Sequence, residues 1–111
     1  MKLYHNNYTE HDNISYVREH ICSTGTFRCE LVLLGPGEGL STRVHRLKDE
    51  VCFLLEGKLD AVVDGKSITL GMEDILHIGQ GEIHSLQNPY DRMAKMILIS
   101  TEMKHSDTVE L

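Results

Sequence analysis

The chain has 111 residues, 41% of them hydrophobic and 25% charged, the balance of one ordinary globular domain with one core. A net charge of −6 without clustered Lys and Arg argues against nucleic acid and against an anionic membrane surface as partners. Aromatic residues are scarce at 5% and Trp is absent, so the core has to rest on Leu, Ile, Val and Met.

The N-terminal MKLYHNNYTEHDN is polar and lacks the apolar stretch of a signal peptide. No apolar run approaches the roughly 20 residues of a membrane span. Cys22, Cys29 and Cys52 are odd in number and lack CxxC spacing, so reduced thiols and a cytoplasmic location are expected. Of the seven His, those at 5, 11 and 105 lie in polar surroundings and read as surface residues.

Period-2 runs then dominate, separated by Gly and Asx turns. Ile14 to Cys22 predicts a strand, and Thr26 to Leu34 (TFRCELVLL) a second, stopped by Gly35-Pro36-Gly37. Thr42 to Leu47, Glu50 to Leu55 and Lys58 to Val63 follow, the last two joined at Glu56-Gly57. Asp64-Gly65 predicts a type I′ hairpin turn, with Ser67 to Leu70 returning from it. Asp74 to Ile78, Ile83 to Asn88 and Met93 to Ser100 complete the series. The tail, 101–111, is polar and is expected to be loose or a short helix. Short strands at this spacing without an amphipathic helix predict an all-β sandwich or barrel.

Polar residues inside the middle strands then become informative, because alternate residues of a barrel strand point inward. If Glu50 points in, so do Cys52 and Leu54. Arg43 and His45 share a face as i and i+2. His45 and Glu50 supply an imidazole and a carboxylate. His84, which opens a strand after the Gly-rich turn GQGEIHSLQN, is the candidate for a third donor. Two His and one carboxylate on one face suit an open site for a divalent transition metal.

These residues carry a resemblance to the cupin superfamily of small β-barrels. Gly37 is followed by five residues and then Arg43, Val44 and His45; Glu50 comes after four more and Gly57 after another six. This spacing is that of the first cupin motif, with Arg43 where the family has its first His. In the second motif Gly81, His84 and Asn88 fall in place, while Glu73 stands for a Gly and Gly79 for a Pro. The resemblance spans Gly37 to Asn88 and implies one double-stranded β-helix, or jelly-roll, domain over 1–111. It implies metal ligands at His45, Glu50 and His84 for Fe, Mn, Ni, Zn or Co. It is compatible with dioxygenase, isomerase, epimerase, lyase or decarboxylase chemistry on a small anionic or sugar-like substrate.

Arg43 cannot itself be a ligand, because guanidinium stays protonated and has no lone pair to give. It is expected either to clamp a substrate carboxylate or phosphate or to pair with Glu50. In the second case the metal is given up, no cofactor is bound, and the domain is a non-catalytic binder of small ligands. Whether the protein is an enzyme stays open between these readings. Cys52 and His77 are further pocket candidates. Cys52 is expected to pack as a small hydrophobe that enlarges the cavity. The face of His77 is not fixed by the pattern; facing inward, it would be a candidate acid, base or spare ligand. Tyr16, Arg18, His20 and Cys22 alternate on one strand as a candidate pocket wall, with Arg18 expected on a solvated outer face. A homodimer through the strand at Ile14 to Cys22 is the expected assembly.

Overall fold

The structure is a computed structural model that describes residues 1–5, 16–45, 48–101 and 108–111. The described residues form ten strands and no helix: β1 Tyr16–Ser23, β2 Phe27–Leu34, β3 Gly39–His45, β4 Glu50–Glu56, β5 Leu59–Val63, β6 Lys66–Leu70, β7 Ile75–Ile78, β8 His84–Gln87, β9 Ala94–Thr101 and β10 Thr108–Glu110. The predicted strands agree to within a few residues at each end. Ile14, Ser15, Arg46 and Leu47 fall outside the described residues, as do His11 and His105.

Two five-stranded antiparallel sheets enclose one core. Their orders are β1-β2-β9-β4-β7 and β10-β3-β8-β5-β6. The local chemistry explains the joints. Asp64 and Gly65 both have positive φ (48° and 80°), as a type I′ turn demands. Gly57 has φ 82°, and a Cβ there would strike the Met93 carbonyl oxygen, so the β4–β5 joint needs glycine. Of the tail, 102–107 lie outside the described residues, and Thr108–Glu110 is a strand, not loose chain or helix. The free edge of β3 offers unpaired backbone groups, and β10 pairs with it, Val109 opposite Val44. Leu111 N–H also donates to the Thr42 carbonyl at 2.9 Å.

The core draws on both sheets. Val32, Leu34, Cys52, Leu54, Ala94, Met96 and Leu98 from the first meet Leu40, Leu59, Ala61, Leu70 and Leu86 from the second. Asn88 is fully buried at one end of this cluster and fully used: its Nδ2 donates to the Leu34 and Arg92 carbonyls and its Oδ1 accepts from Tyr90 N–H. It ties β2 to the β8–β9 connection.

Register shows how the interior changes along the first sheet. Val32 lies beside Met96 and Leu54; one row on, Glu30 lies beside Leu98 and Cys52; beyond that, Arg28 lies beside Ser100 and Glu50. The second sheet changes in the same sense, from Leu40–Leu86–Ala61 to Arg43–His84–Val63. The interior is thus aliphatic at one end and polar at the other.

Candidate functional site

His45, Glu50 and His84 come together at the polar end, all three buried. Backbone pairing fixes each one. Glu50 opens β4, and the residue before it is clamped to β9: Asp49 N–H donates to Thr101 Oγ1 and Thr101 N–H to the Asp49 carbonyl, both at 3.1 Å. The turn before His84 is tied down on two sides. Gly81 N–H donates to the His45 carbonyl at 2.7 Å, and Ile83 N–H to Asp64 Oδ1 at 2.9 Å. The first bond links the strand that carries His45 directly to the loop that delivers His84.

Each imidazole faces a different carboxylate oxygen. His45 Nε2 is 3.5 Å from Glu50 Oε2 and His84 Nε2 is 3.8 Å from Glu50 Oε1. The two rings are 5.1 Å apart and tilted by 47°. One donor atom from each residue lies within 4.8 Å of the other two. His84 Nδ1 sits 3.1 Å from the Glu82 carbonyl oxygen, which can only accept, so Nδ1 carries the proton and Nε2 the lone pair. Such an outer bond is the usual way a ligating His is oriented.

Protonation agrees with this assignment. Burial, and to a lesser extent the nearby charges of His45 and Arg43, hold the His84 pKa below its ordinary value, so the ring is neutral at neutral pH. Burial alone would raise Glu50, but the His45 contact and the charges around it outweigh burial and hold its carboxyl below the usual range. His84 and Glu50 therefore offer a neutral imidazole and a carboxylate, with the His45 ring beside them. His84 Nε2 is buried and has no hydrogen-bond partner. An orphaned buried lone pair costs free energy unless something accepts it. The residues fit a divalent transition metal, the group that the sequence pattern implies.

The other sequence-derived candidates divide. Arg43 is opposite His84 in the β3–β8 register, but it forms no ion pair with Glu50. Its Nε donates to the Ser41 carbonyl at 3.2 Å, and its Nη2 reaches Ser41 Oγ at 3.5 Å. The expected Arg43–Glu50 pair is thereby corrected: the bulge between Leu40 and Arg43 keeps Arg43 in the interior row of His84, but its guanidinium turns back along its own strand to Ser41. Cys52 shares the face of Glu50 but lies one row deeper. It is fully buried, its thiol contacts Met96 Sδ at 3.3 Å, and burial with the Glu50 charge pushes its pKa up to about 12. It belongs to the core and not to the pocket surface. His77 is opposite Val51, on the outer side of β4, and pairs with Asp49 at 3.1 Å. Its side chain is 64% exposed, so it does not enter the barrel.

Sequence reasoning missed Glu30. This buried carboxylate takes a bidentate bond from Arg18, at 2.6 and 3.2 Å, and has Arg28 at 3.4 Å. Arg18, expected on a solvated outer face, is exposed as expected but lies opposite Val32, on the interior side. Arg28 and Glu30 share parity with Val32 and Leu34 in TFRCELVLL, and that parity was the available signal.

Residues 30–100 match the family model of the cupin domain. The chain belongs to the cupin family, and its two sheets form the family's double-stranded β-helix. It is 34% identical over 75 residues to a β-D-galactosidase of Mycobacterium tuberculosis, covering 68% of this chain and 64% of that one. A cupin-superfamily sugar phosphate isomerase of Silicibacter pomeroyi superposes with a TM-score of 0.65 at 27% identity, covering 70% of this chain and 52% of that one. KdgF from Halomonas sp. superposes with a TM-score of 0.78 at 14% identity, over 94% and 96% of the two chains. The chain spans between 13% and 64% of the length of the curated relatives it matches. No helix among the described residues is long and apolar enough to cross a membrane.

Proposed function

We propose that His45, Glu50 and His84 hold a divalent transition metal and that the protein is a metal-dependent enzyme of dioxygenase, isomerase or lyase type acting on a small anionic or sugar-like molecule. The observation that carries this reading is the buried, partnerless Nε2 of His84, aimed at the same small volume as the Glu50 carboxylate. When bound, such a metal acts as a Lewis acid on a carbonyl or carboxylate oxygen.

The chain's own residues would do the rest. Arg28 and Arg18 stand on the interior side of β2 and β1, and Arg43 stands opposite His84 in the second sheet. Arg28 in the row of Glu50 and Arg43 in the row of His84 favour an anion there, since planar forks match carboxylate and phosphate oxygens. Glu30 occupies the Arg18 fork, so Arg18 braces the wall of the site and leaves the anion to the other two. The aliphatic rows beneath exclude water from the inner side of the site. A sugar-like substrate accords with two of the relatives, a galactosidase and a sugar phosphate isomerase. The Ser41 contacts of Arg43 speak against an Arg43–Glu50 pair in place of the metal; the alternative is a non-catalytic module that binds a small ligand with the metal in place.

The test is elemental analysis of protein purified without added metal, then titrated with Fe(II), Mn(II), Ni(II) and Zn(II). One metal per chain is expected. His84→Ala should weaken it by more than the roughly 10–100-fold that a lost outer partner costs. Failure of the wild type to take up any of the four would sink the reading.

A further inference from the structure

Two thiols that play no part in this chemistry face one another across β1 and β2. Cys22 and Cys29 are register partners in the antiparallel pair. Such partners have Cα atoms about 4.5–5.5 Å apart, inside the roughly 4.4–6.8 Å that a disulfide spans. The pairing depends on a local irregularity. His20 lies opposite Glu30, yet Cys22 lies opposite Cys29, so Ile21 is the extra residue of a bulge. Without the bulge Ile21 would face Cys29, and Cys22 would face Arg28. Both thiols are half-buried and outside the core cluster. Burial first, and then the neighbouring Cys22, raise the Cys29 pKa, so the two sulfurs sense each other. Cys52 is set apart by its full burial in the core.

We propose that Cys22 and Cys29 are a reversible dithiol–disulfide site that exchanges with low-molecular-weight disulfides such as oxidised glutathione. Cys22, as thiolate, attacks one sulfur of the external disulfide. The external S–S bond breaks, a mixed disulfide forms, and the released thiolate takes up the proton that Cys22 lost. Cys29 then gives up its proton and attacks the Cys22 sulfur, forming the internal bond and expelling the second external thiol, which takes that proton. Two protein thiols are oxidised by two electrons, and one external disulfide is reduced to two thiols. The strands are already paired, so closure leaves the register unchanged while bracing the β1–β2 pair that carries Arg18 and Glu30.

The test uses the purified, fully reduced protein, incubated with oxidised glutathione, quenched by alkylation and digested. The expected product is a peptide joining Cys22 to Cys29, lighter by two hydrogens, with one alkylated thiol left at Cys52. Dithiothreitol should restore all three thiols. The oxidised form should melt higher by roughly 5–10 °C, as for a short closed loop. Cys52→Ala should oxidise like wild type, whereas Cys22→Ser and Cys29→Ser should stop at the glutathione adduct. Three persistent thiols, a stable adduct on the wild type, or a covalent dimer would each overturn the proposal. The wild-type measurement needs no substitution, so it stands even where a variant folds poorly.

Discussion

The two ends of the barrel interior are built by the same strands and do opposite things. At one end, Leu34, Leu40, Leu54, Leu59, Leu86 and Met96 pack as an aliphatic plug. At the other, the same strands present Glu30, Glu50, His45, His84 and Ser100, all buried. Stability comes mainly from the first end, because each fully buried Leu or Met contributes about 1.5–3 kcal/mol. The second end gains little from burial, since charged and polar groups recover their desolvation only when partnered. Of the carboxylates there, Glu30 is partnered within the chain by Arg18 and Arg28, while Glu50 faces two imidazoles beyond ordinary hydrogen-bond length. The internally satisfied pair serves the fold, and the buried His84 Nε2, which has no hydrogen-bond partner, is where a ligand has something to gain.

The largest effect should come from the aliphatic end. Leu54→Ala empties a fully buried position and should cost about 3 kcal/mol, lowering Tm by roughly 10 °C or more. Metal affinity of the folded protein should be unchanged, because Leu54 lies two rows from Glu50. Thermal melts and metal titrations on the one variant read both quantities. A large loss of metal affinity in the folded state would show that the two ends are not separable.

Arg18→Ala comes next. It removes the bidentate partner and leaves Glu30 with the longer Arg28 contact. The cost should be about 2 kcal/mol, less than for a fully buried pair because the Arg18 side chain is 30% exposed. The effect should depend on pH with a definite sign. Burial would raise the Glu30 pKa, but the Arg18 bond and charge outweigh it and hold it below 4.5. The pair's contribution is therefore full above pH 4.5 and disappears as pH falls through the lower folded-state value. Urea titrations of both proteins from pH 7 to pH 3 should converge at the acid end. A constant difference would mean that the charge pair is not its source.

Glu73 carries a smaller effect of the opposite sign. It has φ 73°, the left-handed region, at the position where the cupin pattern has glycine. Its N–H is committed to the Leu54 carbonyl at 2.8 Å, which holds the strained conformation in place. Glu73→Gly should raise stability by about 0.5–1 kcal/mol, the relief of strain exceeding the added entropy of the unfolded chain. A lower Tm would refute the assignment of strain.

How much of this could be read from the residues follows the range of the interactions. Period-2 runs and Asp64-Gly65 are local, and they located the strands and the hairpin. The spacing from Gly37 to Asn88 brought His45, Glu50 and His84 into one hypothesis. Properties set by long-range register were out of reach. Arg18 meets Glu30 only because β1 pairs with β2 in one register. Arg43 shares the interior row of His84 only through a bulge that no residue type announces, and its guanidinium then bonds Ser41 instead of Glu50. Thr108–Glu110 becomes a strand because β3 has a free edge; Thr and Val suit a strand, but three residues are too short a run to announce one.

His77 tests that limit with the smallest expected effect. In DILHIG its alternation is compatible with either face, and only the pairing of β7 with β4 decides. Ile78 lies opposite Glu50 and is buried, so His77, one residue earlier, must point out. Its contact with Asp49 joins two exposed side chains, and such pairs contribute under about 1 kcal/mol. His77→Ala should therefore change stability by no more than about 0.5 kcal/mol and leave metal affinity within twofold. A one-residue slip of β7 would bring His77 inward beside Glu50, and the same substitution would then weaken metal binding several-fold. A metal titration of His77→Ala thus checks the strand register and the composition of the site together.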